Sequence, residues 1–303
     1  MAGFGRFGLI ARAFFSAMTL AACTLGAPAL AQPAMWVVKD ADSTIYLLGT
    51  IHVLKPDTKW QTEKLDAAIA EADTLWQELP TSDPMAIGME LLPLIMQHGY
   101  SQDTRLADLL TPAEMKSLDE AAKLTGVPGM SGAALNRMRP WNAALNISNS
   151  AVMRAGYDPL SSVDGQIEKK FGARGIKPSG FETAQQQITI FANMAPDEEL
   201  SFLRATLEEY RNAPTEVEKL VNYWAAGDTA NLNAMFVSEA KAEGGSLYDQ
   251  LFTNRNRNWT AKIEEMLAGK GVTFIAVGAG HLVGDDSVVA MLTAKGISVD
   301  RYQ

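Results

Sequence analysis

The sequence predicts an α/β protein, a mixed and partly parallel sheet flanked by helices, with a largely helical central insertion at about residues 83–240. Three observations predict it. Continuous apolar, β-rich runs stand near both ends of the chain, Thr44-Ile-Tyr-Leu-Leu48 and Val272-Thr-Phe-Ile-Ala-Val277, as strands buried on both faces require. The C-terminal stretch reads strand, glycine-rich turn, helix, strand, which implies parallel pairing. The intervening residues carry helix-start signals and few β-rich runs.

In chain order, Trp36-Val37-Val38 and Thr44–Leu48 flank the turn Asp40-Ala41-Asp42-Ser43 and predict a hairpin. A helix follows at about 60–71, with Leu65 and Ile69 four apart, then a strand at Thr74-Leu-Trp-Gln-Glu78. Thr111-Pro112-Ala113-Glu114 is a capping box with proline at the first helical position, and Pro196-Asp197-Glu198-Glu199 is an acidic helix start. Lys177-Pro-Ser-Gly-Phe181 predicts a short strand ending at Glu182. Trp259, Ile263, Met266 and Leu267 share one face of a helix that Gly269 and Gly271 stop. After the 272–277 strand, Gly278-Ala-Gly-His281-Leu-Val-Gly284 turns the chain. Asp285-Asp286-Ser287 starts a helix that Lys295-Gly296 closes, and Ile297-Ser-Val299 predicts the last strand.

The chain has 303 residues, 47% of them hydrophobic and 20% charged, enough for a core without disulfides. A net charge of −9 gives no basic footprint for nucleic acid. Residues 1–31 carry Arg6 and Arg12 but no acid, then an apolar run and Ala29-Leu30-Ala31, the pattern of a cleaved export signal. The run is too short and too rich in small residues for a membrane span. The expected mature domain is therefore 32–303, periplasmic or secreted. A rival reading takes Leu20-Ala21-Ala22-Cys23 as a lipobox, with a lipid anchor at Cys23. The apolar continuation into the Ala31 site favours simple cleavage. Either way the body has no thiol, which excludes a cysteine nucleophile or a cysteine-based zinc site.

Two of the three histidines occupy one local frame, Gly49-Thr-Ile-His52 and Gly278-Ala-Gly-His281, each after a buried strand. Glycine at those points is expected to turn the chain through backbone angles other residues avoid, bringing the side chains to the carboxyl end of the sheet where α/β proteins bind ligands. Glu78 and Glu182 fall at predicted strand ends too. Two imidazoles and a carboxylate are a common way to hold a divalent cation with open positions for water, chemistry suited to hydrolysis. One strand-end histidine alone would read as a loop residue; the matched pair is the signal. His98, near a helix C-terminus, reads as structural. The Gly278 turn also invites comparison with a dinucleotide fingerprint. Its glycine spacing is one residue too long, a histidine stands where the backbone should meet pyrophosphate, and no further βαβ half follows.

From Trp36 to Tyr302 the sequence resembles the TraB/PrgY/GumN family, whose relatives include the Tiki metalloproteases. The resemblance rests on Ile45-Tyr-Leu-Leu-Gly-Thr-Ile-His52 and Val277-Gly-Ala-Gly-His-Leu-Val-Gly284. Trp76-Gln-Glu78, Arg139-Pro-Trp141, Val163-Asp164, Phe181-Glu-Thr183 with Gln187, and Arg255-Asn256 before Trp259 agree in order. It implies a fold like the erythromycin-esterase and ChaN superfamily. It also implies a divalent-metal site on His52, Glu78 and His281, with manganese or cobalt favoured and zinc an alternative, and Glu182 and Arg255 as further polar site residues. The expected function is an exported metal-dependent hydrolase, most simply a peptidase acting on a peptide or other small substrate. Glu182 is the expected general base, and Arg255 the group that stabilises developing negative charge. The alternative is a non-enzymatic periplasmic binding or regulatory protein that sequesters a peptide or haem-like ligand.

Overall fold

The computed structural model describes residues 31–81, 83–124, 131–238, 241 and 246–303. The export signal and Cys23 lie outside the described residues. Among the described residues no helix is long and apolar enough to cross a membrane.

A six-stranded mixed sheet organises the chain, in the order β4-β3-β5-β2-β1-β6. Strands β1 (Met35–Lys39) and β2 (Ser43–Thr50) form the antiparallel hairpin, and the Asp40 carboxylate closes its turn by accepting the N–H groups of Asp42 and Ser43. β5 (Gly271–Gly278) runs parallel to β2 along its whole length, from Ser43 opposite Gly271 to Thr50 opposite Gly278. β3 (Thr74–Gln77) pairs with β5 on one side and with β4 (Pro178–Gly180) on the other, both in parallel. β6 (Val299–Arg301) pairs antiparallel with β1 at the far edge, so the last strand starts later than the sequence suggests and does not neighbour β5. Ile45, Tyr46, Leu47 and Leu48 are all buried, as a central strand covered on both faces demands.

Helices cover both faces. α1 (Glu63–Glu71) starts later than residue 60 because Thr62 caps it, accepting the Leu65 N–H; Trp60 lies in the preceding loop, buried against Trp224. The helices between β3 and β4 include α2 (Pro84–His98), α3 (Pro112–Leu124), α4 (Pro140–Arg154) and α5 (Val163–Gly172). Those between β4 and β5 include α6 (Ala184–Ala192), α7 (Pro196–Glu209), α8 (Ala213–Ala225) and α9 (Asn254–Leu267). The helical material thus continues past residue 240, interrupted by β4. Thr111 and Glu114 form the expected box at the start of α3. Arg139 ties three helix ends together: its guanidinium pairs with Glu199 of α7 and donates to the carbonyls of His98 and Ala192. α10 (Val288–Ala294) starts at Ser287, which caps the Ala290 N–H.

Candidate functional site

The four parallel strands deliver one residue each to the same sheet edge. His52 follows the end of β2 by two residues, Glu78 follows β3 directly, Glu182 follows β4 by two and His281 follows β5 by three. Parallel strands end on one side, so residues distant in sequence meet there. His52 Nε2 lies 3.8 Å and His281 Nε2 3.9 Å from the same oxygen, Oε1 of Glu78.

The glycines do not act as expected. Gly278 has φ −49° and ψ 133°, and neither Gly49 nor Gly278 has a positive φ, so backbone strain does not explain them. Space does. A Cβ on Gly49 would lie 3.1 Å from both Cα and Cβ of Ala279, and one on Gly278 would lie 2.9 Å from Glu78 Oε1. Ala279 of the second motif packs on Gly49 across the β2–β5 pair and the Glu78 carboxylate packs on Gly278, so a side chain at either position crowds its neighbour.

Each imidazole is held from behind. The Asp164 carboxylate, in the first turn of α5, accepts from His52 Nδ1 at 3.0 Å and from Thr50 Oγ1 at 2.7 Å, while Gln77 Nε2 donates to the Asp164 carbonyl. His52 thereby carries its proton on Nδ1 and turns Nε2 to the cleft. Behind His281 the Asn256 amide is oriented by its Nδ2, which donates to the Asp286 carbonyl at 2.7 Å. Asn256 Oδ1 therefore faces His281 Nδ1, at 2.6 Å, and requires an N–H there. The Nε2 lone pair of His281 is left pointing into the site. The imidazole also packs against the Trp259 ring, with centroids 4.4 Å apart.

Arg255, on α9, is the hub. It donates to Glu78 Oε2 at 2.6 Å, to both Glu182 oxygens at 2.8 Å, and to His281 Nε2 at 3.0 Å. Gln187 Nε2 bridges Glu78 Oε2 and Glu182 Oε2, Trp259 Nε1 donates to Glu182 Oε1, and the Gly278 N–H donates to Glu78 Oε1 at 2.9 Å.

The charges follow from these contacts. Burial alone would raise the Glu78 carboxyl, but Arg255, the two imidazoles and the Gly278 N–H outweigh it and hold it well below the usual carboxylate range. Burial and then the Arg255 cation push His281 down to about 3, so it is neutral. Asp164 is the main cause that pushes His52 up to about 9, with Glu78 adding to it. The His52 side chain is 64% exposed, so water screens part of that pull. With His281 neutral and His52 protonated at neutral pH, the carboxylates of Glu78, Asp164 and Glu182 face one guanidinium and one imidazolium, leaving one negative charge in excess; release of the His52 Nε2 proton, which metal binding requires, raises that to two.

Once His52 gives up its Nε2 proton, that donor set suits a divalent cation: two Nε2 lone pairs, one carboxylate oxygen and excess negative charge. Separations of 3.8 and 3.9 Å are less than two ligand bonds of about 2.0–2.2 Å each, so one ion reaches across either pair. Among the described residues, however, no three His, Cys, Asp or Glu side chains already form a metal cage. Arg255 Nη1, 3.0 Å from His281 Nε2, engages the lone pair that a metal at this place would need.

Of the residues expected at the site, His52, Glu78, His281, Glu182 and Arg255 all meet. Glu182 has both oxygens engaged by Arg255, Trp259 and Gln187, so in this arrangement it anchors the guanidinium and has no oxygen free for a proton. Sequence reasoning gives no role to Asp164, Asn256 or Gln187. All three stand in pieces that carry the family resemblance, Val163-Asp164, Gln187 and Arg255-Asn256, and that membership is the signal that could have found them. His98 ends α2, away from these groups.

Two cavities, of about 390 and 330 Å³, flank the centre, and His52 and Glu78 line both.

The TraB/PrgY/gumN family model matches residues 34–301. An uncharacterised protein of Treponema pallidum (strain Nichols) is 21% identical over 275 residues, covering 86% of this chain and 80% of that protein. The uncharacterised YbaP of Escherichia coli K12 is 22% identical over 267 residues, covering 86% of this chain and 92% of YbaP, and YbaP of Shigella flexneri is similar to the same extent. No solved structure matches. The family match runs from the start of the hairpin to the last strand and so contains both Gly-x-x-His turns and every residue of the sheet-edge cluster: the chain belongs to the TraB/PrgY/gumN family.

Proposed function

We propose that this protein is a divalent-metal-dependent hydrolase whose substrate is a peptide, with His52, Glu78 and His281 holding the metal. One observation carries the reading: two imidazoles, each fixed through Nδ1, turn Nε2 toward a single carboxylate oxygen in a pocket with excess negative charge. A divalent cation bound there supplies Lewis-acid polarisation of a carbonyl and a lowered pKa for water, at manganese, cobalt or zinc alike. Asp164 and Asn256 fix the tautomers and raise the donor strength of the two rings. Arg255, once withdrawn from His281, keeps its bonds to Glu182 and presents N–H donors to negative charge developing in the cleft. Glu182 acts first by holding Arg255; a base role for it requires that pairing to loosen.

The polypeptide is proposed to be exported, with cleavage after Ala31, or lipid-anchored at Cys23. Ligand capture without turnover is the second reading. The observation that favours it is Arg255, whose bonds to Glu78, Glu182 and His281 already satisfy the centre with no metal. Turnover of a peptide library by the mature protein, with and without manganese, cobalt or zinc, separates the two. Metal-dependent cleavage supports hydrolysis. Tight binding with no cleavage under any metal supports capture.

A further inference from the structure

We infer that the substrate is an extended chain crossing the centre and that the 330 Å³ cavity receives one large apolar group beside the bond acted upon. The inference rests on the proposed hydrolytic reading and adds the substrate's chemistry. His52 and Glu78 line both cavities, so a substrate held at them has space to enter each. The smaller cavity is walled by Val53, Val152, Val217, Leu220, Phe236 and Phe252. Among the described residues its only charged lining groups besides the His52 and His281 rings are Glu78 and Arg255, which neutralise each other. An apolar cavity of roughly 150 Å³ already admits a benzene ring, so an aromatic or long aliphatic side chain fits here.

The cavity's construction is specific. Phe236 and Phe252 come from two separate π-helical segments, Ala234–Ser238 and Asp249–Thr253, a geometry that recurs at functional sites. Both rings close over the backbone of the second Gly-x-x-His turn: a Cβ on Gly280 would lie 3.0 Å from Phe252 Cε1 and 3.3 Å from Phe236 Cγ. Phe252 also packs on His281, with centroids 5.2 Å apart. A group lodged between these rings therefore touches the turn that carries His281. Among the described residues neither lining offers an uncommitted cation to capture a terminal carboxylate, since Arg255 is bound by Glu78 and Glu182. The geometry suits a chain that continues in both directions.

The test uses mature full-length protein and N-acetylated, C-amidated peptides identical except for one residue, which is Gly, Asp, Leu or Phe. Calorimetric binding is measured in chelator, and cleavage is measured with manganese. The Leu and Phe peptides are expected to bind at least ~10-fold more tightly than the Gly peptide, the lower end of what burying such side chains provides, with the Asp peptide weakest. Val152→Phe, which fills the cavity from α4 at a half-buried position, is expected to abolish the preference, bringing the Leu and Phe peptides to the level of the Gly peptide measured on the same variant. Thermal unfolding checks that this variant is folded, and the wild-type panel stands without it. Equal binding of all four peptides, or of none, overturns the inference, as does a preference that survives Val152→Phe in a folded protein. Preference without cleavage supports the subsite and rejects hydrolysis. Cleavage without preference does the reverse.

Discussion

Gly278→Ala separates crowding from backbone freedom as the reason for glycine beside the site. The native φ and ψ suit any residue, so the substitution carries no conformational penalty. The new methyl would lie 2.9 Å from Glu78 Oε1, 3.6 Å from His281 Cδ2 and 3.8 Å from His52 Nε2. Normal contact requires roughly 3.4 Å, so Oε1 must retreat by about 0.5 Å. It cannot do so freely, because Oε2 is fixed by Arg255 and Gln187. The retreat weakens the Gly278 N–H bond to the carboxylate and draws Oε1 out of its place between the two Nε2 atoms. We expect about 1–3 kcal/mol of lost stability, the usual cost of overpacking, and about 10–100-fold weaker metal binding, as when a group that positions a ligand is disturbed. Urea unfolding reads the first and competition against a fluorescent chelator the second. Gly172→Ala, at the end of α5 where a Cβ meets nothing within 4 Å, serves as the control and should leave metal affinity unchanged and stability equal or slightly raised. Wild-type stability and metal affinity in Gly278→Ala would refute the close-approach argument.

Further expectations concern charge and packing. In metal-free protein His52 is held above its ordinary value of 6.5, so the His52–Asp164 pair contributes fully below pH 6.5 and is lost as pH rises through about 9. NMR titration of Asp164→Asn should bring the His52 midpoint down, and an unchanged midpoint would deny Asp164 its role. His281 has the opposite sign: its folded value near 3 means that stability is present above pH 6.5 and falls as pH drops toward 3, because only the unfolded chain takes up that proton. Asn256→Asp, which places a carboxylate behind the ring, should raise the His281 midpoint. Glu182→Gln should leave Arg255 less firmly held. Activity down by at least ~10²-fold with metal content intact would assign Glu182 a proton-transfer role, whereas near-normal turnover would leave it a positioning residue only. Trp224 Nε1 donates to the buried Gly49 carbonyl at 2.7 Å, so Trp224→Phe should cost about 1–3 kcal/mol in urea unfolding by stranding that oxygen.

Much of this arrangement is legible in the sequence because it follows from strand ends. A run such as Ile45–Leu48, followed at once by Gly49-Thr-Ile-His52, declares both a central strand and the residue it delivers. The same holds for Val272–Val277 and His281, and the structure puts both deliveries on one edge because β2 and β5 are parallel neighbours. Reasoning from turn propensity fails where glycine's role is spatial: nothing local to Gly49 or Gly278 distinguishes a need for positive φ from the need to leave room for a close neighbour. Asp164 stands in a piece that carries the resemblance, but its role is hidden because an acid in a first helical turn ordinarily serves the helix dipole; only the fold reveals that α5 points it at His52. Asn256 is hidden in the polar run Asn254-Arg-Asn-Arg-Asn258, whose period places one residue inward without marking which amide meets an imidazole. The edge position of β6 depends on long-range pairing with β1, which local pattern does not encode.

Direct metal analysis is the measurement closest to the central claim. Mature protein is stripped with chelator, reloaded with manganese, cobalt or zinc, desalted and assayed by elemental mass spectrometry beside His52→Ala, His281→Ala and the double variant. The proposed site predicts stoichiometric metal in the wild type, sharply reduced retention in each single variant and none in the folded double variant. Wild-type protein that retains no divalent metal under any loading condition, or a double variant that retains as much as the wild type, would contradict it.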